Sequence, residues 1–326
     1  TTPASLKAHV IAITGPLIRV VGDKHPSAVK GAILESLSAL INKGGIALKP
    51  FVPQLQTTFV KCLSDMHMSV RMKAATAIGL LMTLQTRVDA LINDLITTVE
   101  AESTEPGVRE STLKAIAGVI AHGGKNITAP NITRAVESAT QSLSSGSGGE
   151  RKCASLALAR SFSYCTAEER SVTLEKLNVA EATSPEHREG NSEALCQISR
   201  ANAQMIMDEY SSITLNALVR ASADDRAPSR AAAARGLGAL AAVSVSALGA
   251  SSPYLAKLMP VLNKLLRDAV IEVRFAATRA IRVIIRAAGP SEMCPHFESF
   301  MPTLAECAVA DRSSDVRAQA ERAIYR

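Results

Sequence analysis

The chain has 326 residues with a formal net charge of +6, from 36 Lys and Arg against 30 Asp and Glu. Hydrophobic residues reach 47% although aromatics are only 3% and Trp is absent. Such a core is built from Ala, Leu, Val and Ile, which suits helices packed closely on helices and leaves no row of aromatic platforms for stacking bases. The six cysteines (Cys62, Cys153, Cys165, Cys196, Cys294 and Cys307) have no close pairs, as in a reduced, cytoplasmic protein and unlike a disulfide frame. No signal, transit or membrane-spanning segment is legible, because serines interrupt the one long uncharged stretch, Gly236–Ala256.

In chain order, Ala4–Thr14 reads as an apolar helix stopped by Gly15-Pro16, with Leu17–Val21 continuing to a turn at Gly22–Pro26. Ser27–Lys43 and Leu48–Ser64 follow, separated by Gly44-Gly45, and Asp65–Leu81 is the next helix with its preceding loop. Val70, Ala74, Ala77, Ile78 and Leu81 form one apolar stripe on it. Val88–Glu100 pairs with Gly107–His122, and Asn131–Ser142 with Gly149–Phe162. Between the last two lies Ser144–Gly149, whose SSGSGG sequence reads as the most flexible linker in the chain. The later helices are Ala167–Leu177, His187–Arg200, Tyr210–Ala221, Pro228–Val245, Tyr254–Arg267, Val270–Ala288, His296–Ala308 and Ser314–Tyr325.

A repeated device orders these helices. Asp65 precedes Arg71 by six residues, and the same step separates Asp224 from Arg230, Asp268 from Arg274 and Asp311 from Arg317. Extending the basic position gives Lys30, Arg71, Arg109, Arg151, Arg188, Arg230, Arg274 and Arg317, spaced by 37 to 44 residues. That period, with two helices per unit, belongs to HEAT and armadillo arrays. The expected fold is therefore all-α: a solenoid of about eight HEAT-like hairpins without β-sheet, running through residues 1–326 as one segment of a longer array. The Asp and Arg pairs are expected to form a structural ladder in which a guanidinium fork meets a carboxylate of its own or a neighbouring unit.

Little else carries chemistry. Gly123-Gly124-Lys125 and Ser144–Gly149 lack phosphate-loop spacing. Cys294-Pro-His296 alone cannot make a zinc site, which needs four convergent ligands. No spacing suggests a catalytic triad, so the expectation is a non-enzymatic chain with no cofactor, metal or small-molecule substrate. Charge is uneven: the first 61 residues hold seven Lys and Arg against two acidic residues, and Arg279, Arg282 and Arg286 share one helix face. These basic surfaces would face a protein partner or make weak RNA contact.

Two stretches carry a resemblance: Gly15–Asp23 (GPLIRVVGD) and Gly45–Val60 (GIALKPFVPQLQTTFV), the latter followed by the Asp65 loop and the Val70-Arg71 helix. Together with Val88-Asp89, Glu105–Arg109 (EPGVR), Tyr210–Arg226 and Gly236–Leu240, they resemble the C-terminal HEAT region of the general-control non-derepressible translational activator family. The resemblance is weaker from about Ile127 to Met205. It implies a scaffold that binds stalled or colliding ribosomes and activates the kinase of translation initiation factor two alpha. It further implies that this region docks the kinase's RWD domain, with ribosome contacts made by other parts of the full-length protein. Arg19, with Asp23 and Lys24 beside it, is the first candidate contact, as a bidentate donor to an acidic partner; alternatively Arg19 pairs with Asp23 and fixes the turn. Arg279, Arg282 and Arg286 complete the candidate partner-binding set.

Overall fold

The computed structural model describes residues 9–21, 25–178, 180, 182–248, 253–288 and 297–325. Among them no strand forms. The helices group into two units, Thr1–Cys165 and Thr166–Arg326, each a stack of antiparallel hairpins.

In the first unit the helices are α1 (Val10–Val21), α2 (Ser27–Gly44), α3 (Val52–Cys62), α4 (Met68–Leu81), α5 (Asp89–Glu100), α6 (Pro106–Gly123), α7 (Ala129–Ser142) and α8 (Gly148–Ser161). Within hairpins α3 packs on α4, α5 on α6 and α7 on α8, while the second helices stack on one another in the series α2, α4, α6, α8. The apolar stripe of α4 is fully buried at Val70, Ala74, Ala77, Ile78 and Leu81. Small residues set the spacing of the stack. A Cβ on Gly79 of α4 would lie 2.8 Å from the Cα of Gly118 in α6, so the two backbones meet where neither residue has a side chain.

The second unit contains α9 (Ala167–Lys176), α10 (Pro185–Ala201), α11 (Ala203–Glu209), α12 (Ser211–Ala221), α13 (Ala227–Leu248), α14 (Pro253–Leu266), α15 (Ile271–Ala288), α16 (Phe297–Ala310) and α17 (Ser314–Ile324). Here α10, α13, α15 and α17 form the stacked row, and α12, α14 and α16 are their hairpin partners. Local sequence sets the starts. Thr166 and Glu169 form a capping box at α9, Ser184 caps α10 ahead of Pro185, and Ser313 caps α17.

Four local readings change. The Gly15-Pro16 pair does not stop a helix: α1 runs through Pro16. The carbonyl that Pro16 cannot bond belongs to Ala12 on the exposed side, where water can serve it. The segment before α3 is a 3-10 helix, Gly45–Phe51, because Pro50 supplies no N–H and Gly45 takes a positive φ of 51°. The short α11 was not legible, since its seven residues bury only Ile206. Within the stretch read as a linker, Gly148 and Gly149 already belong to α8, and Ser144–Ser147 form a hydrogen-bonded turn. No described helix is long and apolar enough to cross a membrane.

Candidate functional site: a ladder and two basic surfaces

Each repeating Asp lies in the loop between the two helices of a hairpin. Its Oδ1 accepts the backbone N–H two residues on, from His67, Arg226, Val270 and Ser313 at 2.8–2.9 Å, so the side chain closes its own turn. The Arg six residues later completes the loop from within the helix. One Nη1 donates to the carbonyl of that Asp, at 2.8 Å in Arg71, 2.9 Å in Arg230 and Arg274, and 2.6 Å in Arg317. Asp and Arg of one repeat therefore meet through the backbone, and the carboxylate is left for the preceding repeat.

That second link is complete in unit two. The fork of Arg230 donates from Nε and Nη2 to Asp268 at 2.7 and 2.9 Å, and Arg274 does the same to Asp311 at 2.6 and 3.0 Å. Arg188 divides its fork between Asp224 and Asp225, both at 2.9 Å. Hydrogen bonds from Arg274 hold the Asp311 carboxyl below its ordinary value, against the effect of partial burial. For Asp268 burial is the larger influence and acts upward, yet Arg230 and the Val270 N–H together bring the carboxyl below its ordinary value.

Unit one builds its rungs differently. Lys30 reaches Asp65 at 2.9 Å. Arg71 finds no carboxylate and donates from Nε to the Gly107 carbonyl at 3.0 Å. A Cβ on Gly107 would stand 2.6 Å from Nη2 of Arg71, so glycine makes room for that approach. Arg109 turns to its own loop carbonyls at Val99 and Ala101, with Glu150 3.8 Å from Nη1. The Asp position before Arg151 is Ser145, which copies half of the device. Its Oγ accepts from Ser147 N–H and donates to buried Glu150 at 2.7 Å, and Arg151 caps the Ser145 carbonyl.

The candidate partner residues fall elsewhere. Arg19 is exposed on α1 and forms no ion pair with a described carboxylate; Asp23 and Lys24 lie outside the described residues. Arg279 and Arg286 are exposed on α15, and Arg282 on the same face is half-buried. Sequence reasoning missed several cross-repeat ties, among them Arg235 on α13 with Glu193 on α10 at 2.7 Å, and Asp89, whose Oδ1 collects three hydrogen bonds from Thr128 and Asn131. Glu193 and Arg235 both stand five residues after a ladder arginine, which was the available signal.

Among the described residues no group of three metal-ligating side chains converges. Burial pushes the Cys153 thiol up to about 12 and that of Cys196 to about 11, so both stay protonated and inert. Cys294 and His296 lie outside the described residues.

Stacked hairpins tied by loop-edge rungs define the class: an α-solenoid of HEAT type. Comparison with known proteins agrees and narrows it. Residues 89–326 match the family described as stalled ribosome sensor GCN1-like, HEAT repeats, and this chain belongs to that family. It is 36% identical to the protein ILITYHIA of Arabidopsis thaliana over 325 residues, covering 99% of this chain and 12% of that protein. Against the stalled ribosome sensor GCN1 of Homo sapiens it is 34% identical over 284 residues, or 86% of this chain and 10% of the other. The eIF-2-alpha kinase activator GCN1 of Saccharomyces cerevisiae is 44% identical over 137 residues, 42% of this chain and 5% of that protein. The chain thus spans about a tenth of the length of these relatives. Among solved structures, Kap121p shares the fold alone, with a TM-score of 0.60 at 17% identity over 98% of this chain and 34% of that one.

Proposed function

We propose that the chain is a non-enzymatic docking segment in translational stress control, binding the RWD domain of the initiation-factor-two-alpha kinase in the cytoplasm. The remainder of a longer scaffold would link it to ribosomes. The names of its relatives, stalled ribosome sensor and eIF-2-alpha kinase activator, support the pathway. The observation that carries the docking reading is the division of the arginines. Lys30, Arg71, Arg188, Arg230 and Arg274 each spend a donor on a neighbouring repeat, whereas Arg19, Arg279 and Arg286 face solvent. Exposed guanidiniums outside the ladder are free to offer bidentate bonds to an acidic partner.

Calorimetric titration of the chain with the RWD domain tests this, with Arg19→Ala in parallel. Loss of binding in the variant at unchanged helicity and melting temperature supports both function and site, with Asp23 and Lys24 as flanking contacts. Binding that survives Arg19→Ala but is lost in Arg279→Ala/Arg286→Ala moves the site to α15, where Arg282 completes the face. No binding by the unaltered chain overturns the reading, and salt-sensitive RNA binding in its place would make the surface a nucleic-acid contact.

A further inference from the structure

One row of side chains on the stacked helices of unit two has a charge order that the ladder does not explain. The residues five positions after Arg188, Arg230, Arg274 and Arg317 are Glu193, Arg235, Arg279 and Arg322. They stand in one register on α10, α13, α15 and α17, helices that pack in that sequence. Buried neighbours fix the phase: Ala233, Ala277 and Ala320 sit two residues before the three arginines, and Gly236, Ala280 and Ala323 one residue after them.

The row begins as a paired one. Arg235 Nη2 meets Glu193 at 2.7 Å across the α10–α13 junction, and Gln197 also donates to Glu193 at 2.8 Å. The next junctions present arginine to arginine. Arg279 and Arg322 are exposed, and neither forms an ion pair with a described carboxylate. Glu321 beside Arg322 holds the register of buried Ala234 and Thr278, one step off the row. Seven residues beyond Arg279 on the same face stands Arg286, and seven beyond Glu193 stands Arg200, both exposed. Between these two, α13 carries Ala242, and a hollow of about 290 Å³ lined by Gln204, Ala242, Val243, Ser246 and Ala247 lies beside it. The surface is thus lowest where its helix carries small residues and is flanked by guanidiniums.

We propose that this face binds an acidic, extended peptide segment that crosses α13, α15 and α17, its carboxylates continuing the pairing that Glu193 begins. Packed helix axes lie about 8–10 Å apart, and three residues of a chain extended in the polyproline-II conformation span about 9 Å and return the side chain to the same face. A carboxylate at every third residue therefore meets successive arginines. Carboxylate is the partner this row already takes, at Arg235. The surrounding floor of Ala239, Ala242 and Val283 has no aromatic side chain on which bases could stack, which favours a peptide over RNA. The inference rests on reading the α15 arginines as a partner surface, and adds Arg322 to it together with the chemistry and spacing of the occupant.

The test uses the whole chain and two fluorescent synthetic peptides of identical composition, one with glutamate at every third position and one with the same glutamates clustered at one end. Anisotropy should show the spaced peptide binding tighter. Arg279→Glu/Arg322→Glu should weaken it roughly tenfold or more, with Lys257→Glu, exposed on α14 and off this face, unchanged as a charge control. Glu193→Gln removes the internal competitor for Arg235 and should tighten binding while the melting curve reports folding. Equal affinity for both peptides, no response to the double reversal, or no binding of the spaced peptide overturns the proposal. So does a single-stranded RNA homopolymer that binds tighter through the same arginines. RWD titration beside these arms separates the failures: a domain that still binds leaves the docking function standing when the peptide fails.

Discussion

The two units solve one problem with different chemistry. Each must hold stacked hairpins in register at their loop edge. In unit two, Arg230 and Arg274 each place a planar fork on an aspartate of the next repeat, with the same atoms making the same contacts. In unit one, a lysine, a backbone carbonyl and a buried glutamate take the acceptor or donor places in turn. The stack does not require a particular ion pair. It requires that the loop carbonyls be capped and that a donor reach across. Where the carboxylate is missing, the close approach of Arg71 to the Gly107 carbonyl takes its place. Close backbone crossings occur in both units, Gly79 on Gly118 in one and Gly238 on Ala280 in the other, so what separates the units is the charge at the loop edge.

The sharpest way to break this contrast is to remove one fork from each unit. Arg274→Ala leaves Asp311, whose side chain is 4% exposed, without its bidentate donor. It should destabilise the chain by about 3 kcal/mol, the low end for an ion pair broken by loss of one partner. Arg71→Ala strands only carbonyls at the loop edge and should cost about 1 kcal/mol. Urea unfolding of the two variants decides it, and equal losses would sink the distinction. A methyl group at the Gly79 crossing tests that contact. Gly79→Ala places a Cβ 2.8 Å from backbone that cannot move aside, and about 2 kcal/mol of overpacking is expected. A neutral result would mean that unit one is not held by that contact.

Smaller effects sharpen the comparison. Ser145→Asp restores the aspartate of the regular rung but sets it against Glu150, whose carboxylate already takes the Ser145 hydrogen bond at 2.7 Å. The single variant should lose about 1 kcal/mol through like-charge contact, and adding Glu150→Gln should recover it. Melting temperatures of both variants read this out, and an additive double variant would show that the two positions do not share a rung. The smallest effect is acid sensitivity. Asp311 and Asp268 have folded-state values lowered from the ordinary 3.8. Their contribution is whole above that pH and is lost as pH falls below it through the lowered values. Arg274→Met, by removing the cause of the Asp311 shift, should flatten the stability loss in that acid range. An unchanged acid slope would show that the rung is not what titrates.

Much of this was open to reading in the chain itself. The 37 to 44 residue spacing of basic positions, the apolar stripe of α4 and the capping signals determine hairpins, their number and their order, because each rests on local periodicity and on contacts within one helix or its adjoining loop. Membership of the GCN1-like family was legible in GPLIRVVGD and GIALKPFVPQLQTTFV for the same reason: a run of neighbouring residues needs no partner to be recognised. The direction of each rung was not legible. Asp268 and Arg274 look like a pair at six residues, yet the fork that holds Asp268 comes from Arg230, 38 residues earlier. Nor could spacing show that Glu150 stands in for an aspartate, or that Glu193 closes on Arg235 while Arg279 and Arg322 stay exposed. Those relations exist only when one repeat is set on the next, since helix packing brings within a few ångströms groups that the chain keeps a whole repeat apart.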